Sequence, residues 1–178
     1  VEKEMKHLKM ERSRFKTEIK QTTPNELGLD SVVFTISTNS GSKFGSLMKI
    51  ASGGELSRFL LALKVCLTHD QKGVSLVFDE IDRGIGGATA DAVGRRLLKL
   101  AEKDAQVLVV THSPQVAALA ERHFVVSKGI EDGKTLSRVK QIKGRDCVEE
   151  IARMISGDKI TDEARDASRV LISGASNA

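Results

Sequence analysis

The chain has 178 residues, 40% of them hydrophobic, enough for a substantial core, since a domain of roughly 150 residues hides about 70% of the surface its unfolded chain exposes. Its 28 basic and 24 acidic side chains leave a net charge of +4, a mild excess that permits a nucleic-acid partner without arguing for one. No stretch approaches the roughly 20 apolar residues of a membrane span and no charged-then-apolar signal segment opens the chain, so the expectation is a soluble, cytoplasmic protein with no membrane partner.

Val1, Met5, Leu8, Phe15 and Ile19 recur in alternating steps of four and three if Arg12 is allowed as one polar intruder, the pattern of a coiled-coil seam. A charged amphipathic helix packed on a globular body would look the same over so few turns. Thr22, Thr23 and Pro24 are expected to end it, because proline cannot continue a helix. The expected organisation is therefore an arm over residues 1–22 and a globular lobe over residues 23–178.

Ser31 to Ser37 (SVVFTIS) is β-branched and aromatic enough for a strand, and Thr38 to Ser46 is a polar, glycine-bearing loop. An α/β pattern follows: a helix from about Glu55 to Thr68, a strand from Val74 to Phe78, a helix from about Thr89 to Glu102, a strand from Gln106 to Val110, a helix from Pro114 to Glu121 and a strand from Phe124 to Ser127. Runs as apolar as SLVF and VLVV belong to parallel sheets buried on both faces, where ligands gather beyond the carboxyl ends of the strands. Thr135 to Ile142 reads as an added edge strand. Two helices close the chain, about Cys147 to Ile155 and Asp162 to Ile172, with Thr161 as N-cap of the second. Cys66 and Cys147 have no CxxC spacing and no set of nearby metal-ligating partners, and are expected as reduced thiols.

Three places carry the letters of chemistry. Asp79 and Glu80 stand where the first buried strand stops, a pair able to divide labour between holding Mg2+ and activating a water. The next strand ends at Thr111 and His112, and neighbouring parallel strands would bring that imidazole to the same crevice; a histidine that merely caps a strand end is the alternative. Upstream, Ser52, Gly53, Gly54 and Glu55 open a helix, where bare backbone amides accept anions; simple capping by Ser52 is the alternative. With ordinary residue frequencies, SGGE arises by chance in on the order of less than one in a hundred chains of this length.

In order, SGGELSR, LVFDEID and VVTHS resemble the C-terminal motif set of the ABC-type ATPases: the signature motif, the Walker B strand with its glutamate and D-loop, and the switch histidine. Glu55 stands where transporters usually carry Gln, which points to the SMC-like DNA proteins. FTISTN, IASGGELSRFLLALK, FDEIDRGIGGATADAVGRRL and EEIARMISG are similar to the RecN family of bacterial DNA repair proteins over nearly the whole chain. The departure is a missing Walker A loop, GxxxxGK[ST], since Gly84, Gly86 and Gly87 have no Lys-Ser or Lys-Thr behind them.

The resemblance implies the C-terminal lobe of an SMC-type ATPase head, an α/β fold with a mostly parallel buried sheet flanked by helices and a coiled-coil stub. The sheet would be completed by an N-terminal half that carries Walker A, and a second head would form a homodimer with ATP and Mg2+ between the two. Asp79 would hold Mg2+, Glu80 would be the general base and His112 would touch the γ-phosphate. Asp82 would organise the interface, while Ser52, Gly53 and Gly54, followed by Glu55, would grip the nucleotide of the partner head. The implied role is ATP-driven engagement of DNA in double-strand break repair at the nucleoid. A transporter-type nucleotide-binding domain and a non-catalytic DNA-tethering module are the rival readings.

Overall fold

The computed structural model describes residues 1–26, 28–47, 53–67, 73–79, 81–102, 105–131 and 134–175. The chain divides into two compact units, Val1–Val110 and Thr111–Ala178.

The first unit opens with α1 (Glu2–His7), which buries Met5, and Leu8 behind it is equally inaccessible. Its end is a Schellman motif: the Met10 N–H donates to the Met5 carbonyl at 3.0 Å, the Lys9 N–H to the Lys6 carbonyl at 3.3 Å, and Lys9 takes the left-handed φ of +58°. That conformation costs a residue with a Cβ roughly 1–2 kcal/mol. Lys9→Gly is accordingly expected to stabilise the fold by up to about 1 kcal/mol once the greater chain entropy of glycine is subtracted. A raised midpoint of thermal unfolding is the expected reading; a lowered one would show that the lysine side chain itself holds the turn.

The chain then extends into β1 (Arg14–Asn25), antiparallel to β2 (Gly28–Ser37), with the two-residue β3 (Gly45–Ser46) on the other side of β2. This corrects the arm expected over residues 1–22. The seam is helical only from Glu2 to His7, and Phe15 and Ile19 belong to a strand, paired with Ile36 and Val32. Long-range pairing won: Phe15, Thr17 and Ile19 suit a pleated surface, and the Phe15 ring packs 5.5 Å from Phe34 and 5.1 Å from Phe59. Pro24 ends no helix. It sits on the edge strand within a register shift between Gln21 and Asn25, where a missing N–H is tolerated.

Next come α2 (Gly53–Leu67), β4 (Ser75–Asp79), α3 (Gly87–Ala101) and β5 (Gln106–Val110). Ala90, Val93, Leu97 and Leu100 recur at three- and four-residue steps and form the buried stripe of α3. β4 and β5 pair in parallel, from Ser75 beside Gln106 to Asp79 beside Val110. The mixed α/β character and helix-flanked sheets are as expected, but among the described strands parallel pairing is confined to these two; the other two sheets are antiparallel. Burial on both faces is expected of a sheet completed by an N-terminal half; within this chain the two strands alternate, and Val77, Leu108 and Val110 stay 60%, 45% and 56% exposed.

The second unit begins with α4 (Pro114–Ala117), a single turn where a longer helix was expected; it tightens into i→i+3 bonds from Leu119 to Val116 and Ala120 to Ala117. β6 (His123–Glu131) and β7 (Lys134–Ile142) form an antiparallel hairpin whose last pair is Glu131 and Lys134. Only Asp132 and Gly133 separate them, so the ladder runs four residues beyond the expected Ser127. α5 (Arg145–Ser156) and α6 (Asp162–Ala175) pack together, burying Cys147, Ile151, Ala152 and Ala164. Thr161 caps α6 as expected, its hydroxyl accepting the Ala164 N–H at 3.2 Å. Arg165 joins the helices through Glu149 at 2.9 Å and holds that carboxyl below the usual carboxylate range. Both cysteines are free, and burial pushes the Cys147 thiol up, away from reactive thiolate. Among the described residues no helix is long and apolar enough to cross a membrane.

Candidate functional site

The first unit brings the start of α2 against the turn that follows β4. A Cβ built on Gly54 would lie 3.1 Å from Ile85 Cγ2, 3.2 Å from the Arg83 carbonyl oxygen and 3.7 Å from that of Gly84. Glycine lets the two segments approach this closely, where a Cβ would force its neighbours back by a few tenths of an ångström. A Cβ on Gly53 would meet nothing within 4 Å. The two adjacent glycines thus differ in kind: Gly54 is needed for packing, whereas Gly53 leaves open space before the helix.

The turn itself is built from Asp82, which is fully buried, and the Ile85 N–H donating to its carbonyl at 3.2 Å. Gly84 has φ +73° and Gly87 has φ +53°, left-handed values that account for two of the glycines in GIGG. Asp79 ends β4 with its side chain exposed. Beside it, Ser57, Leu60 and Lys64 of α2 and Val77 of β4 line a shallow cleft of about 150 Å³ that includes Asp79. The Lys64 ammonium lies 4.8 Å from the centre of the Phe78 ring, a cation–π contact that fixes it over the strand.

Arg58 ties the start of α2 to the turn after α1. Its Nε donates to the Gly54 carbonyl at 3.2 Å, and its Nη1 to the carbonyls of Leu8 at 2.9 Å and Lys9 at 3.2 Å. Burial lowers its pKa from the ordinary arginine value, opposed by the charges of Glu55 and Glu11. Sequence reasoning read Arg58 only as a letter of the SGGELSR string. A basic residue one turn into a glycine-led helix was the available signal, but its acceptors lie about fifty positions upstream.

Of the expected residues, Gly53, Gly54, Asp79 and Asp82 belong to this one assembly, and Glu55 lies in the first turn of α2. Ser52 and Glu80 lie outside the described residues. His112 belongs to the second unit, two positions beyond the Val110 that pairs with Asp79, and is exposed. Next to it, Ser113 donates its N–H to the Thr111 hydroxyl at 2.9 Å and its own hydroxyl to Gln115 Oε1 at 2.9 Å, ahead of Pro114 at the first helical position. Among the described residues no group of three His, Cys, Asp or Glu side chains is placed to hold a metal. Gly133, Lys134 and Thr135 spell the end of a Walker A loop, but Gly129 is one residue too close and the segment leads into strand β7 rather than a helix.

No family model matches the chain. It is 47% identical over 173 residues to the DNA repair protein RecN of Rickettsia prowazekii, covering 97% of this chain and 31% of that protein. Against RecN of Bacillus subtilis it is 40% identical over 188 residues, covering 97% and 32%; against RecN of Deinococcus radiodurans it is 47% identical over 151 residues, covering 85% and 26%. The chain therefore spans about a third of the length of these relatives. Among solved structures, the Smc head domain with a coiled coil and joint derived from Pyrococcus yayanosii superposes with a TM-score of 0.63 at 17% identity, over 84% of this chain and 27% of that one. A structure from work on ATP-driven dimerization and DNA stimulated activation of SMC ATPases gives 0.51 at 20% identity, over 80% and 83%. These likenesses establish the fold.

Proposed function

We propose, from the premise that this chain is a homologue of the RecN DNA repair proteins and carries an SMC-head fold, that it supplies the C-terminal half of a head that hydrolyses ATP between two engaged heads. The observation that carries the reading is the close approach of Gly54 to Arg83 and Ile85, which packs the start of α2 against the turn through Asp82, two segments expected at a head–head interface.

Each residue then has a task its chemistry suits. Asp79, an exposed carboxylate at the end of a strand, would hold Mg2+, which supplies charge neutralisation on the phosphates when bound. Glu80 takes a proton from the attacking water as its oxygen bonds to the γ-phosphorus, and ADP leaves with the electrons of the broken bond. His112 hydrogen-bonds the γ-phosphate. Ser52 and the amides at Gly53 and Gly54 face the nucleotide of the opposite head, with Glu55 in the first turn, and Asp82 keeps the turn between them in shape. The exposed Val77, Leu108 and Val110 are the face an N-terminal half with Walker A would cover. Coupling of head engagement to DNA extends to this chain the DNA repair named in its relatives and the DNA stimulated activation named for SMC ATPases; double-strand breaks in the bacterial cytoplasm are the setting the motif resemblance implies.

This chain alone is expected neither to bind ATP tightly nor to hydrolyse it, because the loop and lysine that cradle the phosphates are not in it. Calorimetry on the isolated chain should give no micromolar binding, and co-expression with the N-terminal half should restore binding and turnover. Micromolar binding by the chain alone would overturn the division of labour; no turnover in the restored head would favour a non-catalytic tether.

A further inference from the structure

We propose that the groove between α1 and α3 seats the phosphate backbone of duplex DNA. The groove is a cleft of about 410 Å³ whose charged lining is Lys6, His7 and Lys9 from the end of α1, and Asp91, Arg95, Arg96 and Lys99 from α3. Two of its cations are already used. Arg95 is paired with Asp91 at 2.9 Å, and Arg96 forms an ion pair with Glu4. Lys6, Lys9, His7 and Lys99 have no acidic partner among the described residues, and all four are exposed. With Asp91, the acid of the lining, paired to Arg95, three ammonium groups leave the concave site with an excess of positive charge that raises the local potential and draws a polyanion.

The shape and chemistry favour duplex DNA over other anions. From Ala88 to Lys99 the groove follows α3 for roughly 16 Å at 1.5 Å per residue, the length of about five base-pair steps at 3.4 Å each. No Phe lines it and its one flat ring is that of His7, a narrow platform for stacking a run of unpaired bases. Its only apolar lining is Ala88 and Ala92, too little to enter a lipid interface. A second, independent observation concerns Lys9. It occupies the left-handed position of the turn, where glycine is less strained, and an outlier of this kind is kept when the side chain has another task. Here that task is to line the groove, while its backbone carbonyl is held by Arg58.

The proposal rests on the DNA-coupled reading above, and the test separates the two. Binding of the complete protein to a short fluorescent duplex is measured by anisotropy across a salt series with ATP present, for wild type and for the variant Lys6→Gln, Lys9→Gly, Lys99→Gln. Removal of three phosphate contacts should lower the slope of log Kobs against log salt by about 2.7, at 0.9 per contact. ATP turnover without DNA should stay at the wild-type level. The single variant Lys99→Gln, expected to lower the slope by about 0.9, and the charge-preserving Lys99→Arg, expected to leave it intact, keep the test decisive if the triple variant folds poorly. An unchanged slope in the glutamine variants overturns the groove while leaving DNA coupling in place. Failure of the wild type to bind duplex, with turnover intact, overturns both the groove and the DNA coupling but not the ATPase. A parallel arm with anionic lipid vesicles should show no dependence on the three lysines; loss of vesicle binding without loss of duplex binding would assign the groove to membranes instead.

Discussion

Glu80→Gln in the complete protein is expected to slow ATP hydrolysis by roughly a hundred- to ten-thousand-fold, the loss typical of removing a positioned general base. That range corresponds to about 2.7–5.5 kcal/mol of transition-state stabilisation. Glutamine keeps the size of the side chain and can still hydrogen-bond a water, but it cannot take the proton that the water must shed as it attacks. ATP affinity should hardly change, because Asp79 and the phosphate-cradling loop are untouched. Engaged heads should therefore accumulate with uncleaved ATP, visible as a longer-lived dimer in light scattering. Near wild-type turnover would exclude Glu80 as the base, and a matching loss of ATP affinity would place it among the binding groups instead.

Neither expectation depends on fine geometry, because both follow from the resemblance of LVFDEID to a Walker B strand with its glutamate. Much of the rest was legible in the same way. Gln106–Val110 reads as a strand from its apolar β-branched run between a polar stretch and Thr111, and it is one. Asp162 to about Ile172 reads as a helix from its cap and acidic first turn, and the helix spans Asp162–Ala175. The failures share a cause. Val1 to Ile19 shows helical spacing, yet after Met10 the partner that decides the conformation is β2, up to some twenty residues further on, and local periodicity carries no trace of it. The runs SLVF and VLVV read as buried on both faces because apolar content reports what a strand can bury in a completed sheet, not how many neighbours this chain alone provides.

The site shows the same division. Asp79, Gly53, Gly54 and Asp82 could be named from their motifs, but identical glycine letters conceal different duties. Only the approach of Ile85 Cγ2 and the Arg83 carbonyl distinguishes Gly54 from Gly53. Arg58 escaped because its acceptors, the carbonyls of Leu8 and Lys9, were assigned to an arm that should have run past them. The structure makes these carbonyls available by ending α1 at His7 and leaving its last carbonyl groups free for side-chain donors.

That difference between the glycines decides how the signature motif should be tested. Gly54→Ala or any larger change would press on the Arg83 backbone and the Ile85 side chain, so a loss of function there would confuse misfolding with mechanism. Gly53→Asp is the cleaner variant, since a Cβ at that position meets nothing within 4 Å, and an acid in the first turn of a helix is, if anything, stabilising. It is expected to leave ATP binding by a single head nearly unchanged and to abolish ATP-dependent dimerisation and turnover. Ser52→Arg should do the same by bulk. The cause is local: the new carboxylate occupies and repels the space where the phosphate of the opposite head's nucleotide would meet the bare amides. A lone head has no phosphate there to lose. Light scattering with and without ATP, run beside an equilibrium binding assay and a thermal melt, separates the outcomes. A Gly53→Asp variant that melts like wild type, loses ATP affinity as a monomer and still dimerises would show that the motif serves its own head's nucleotide, and the trans arrangement would have to be abandoned.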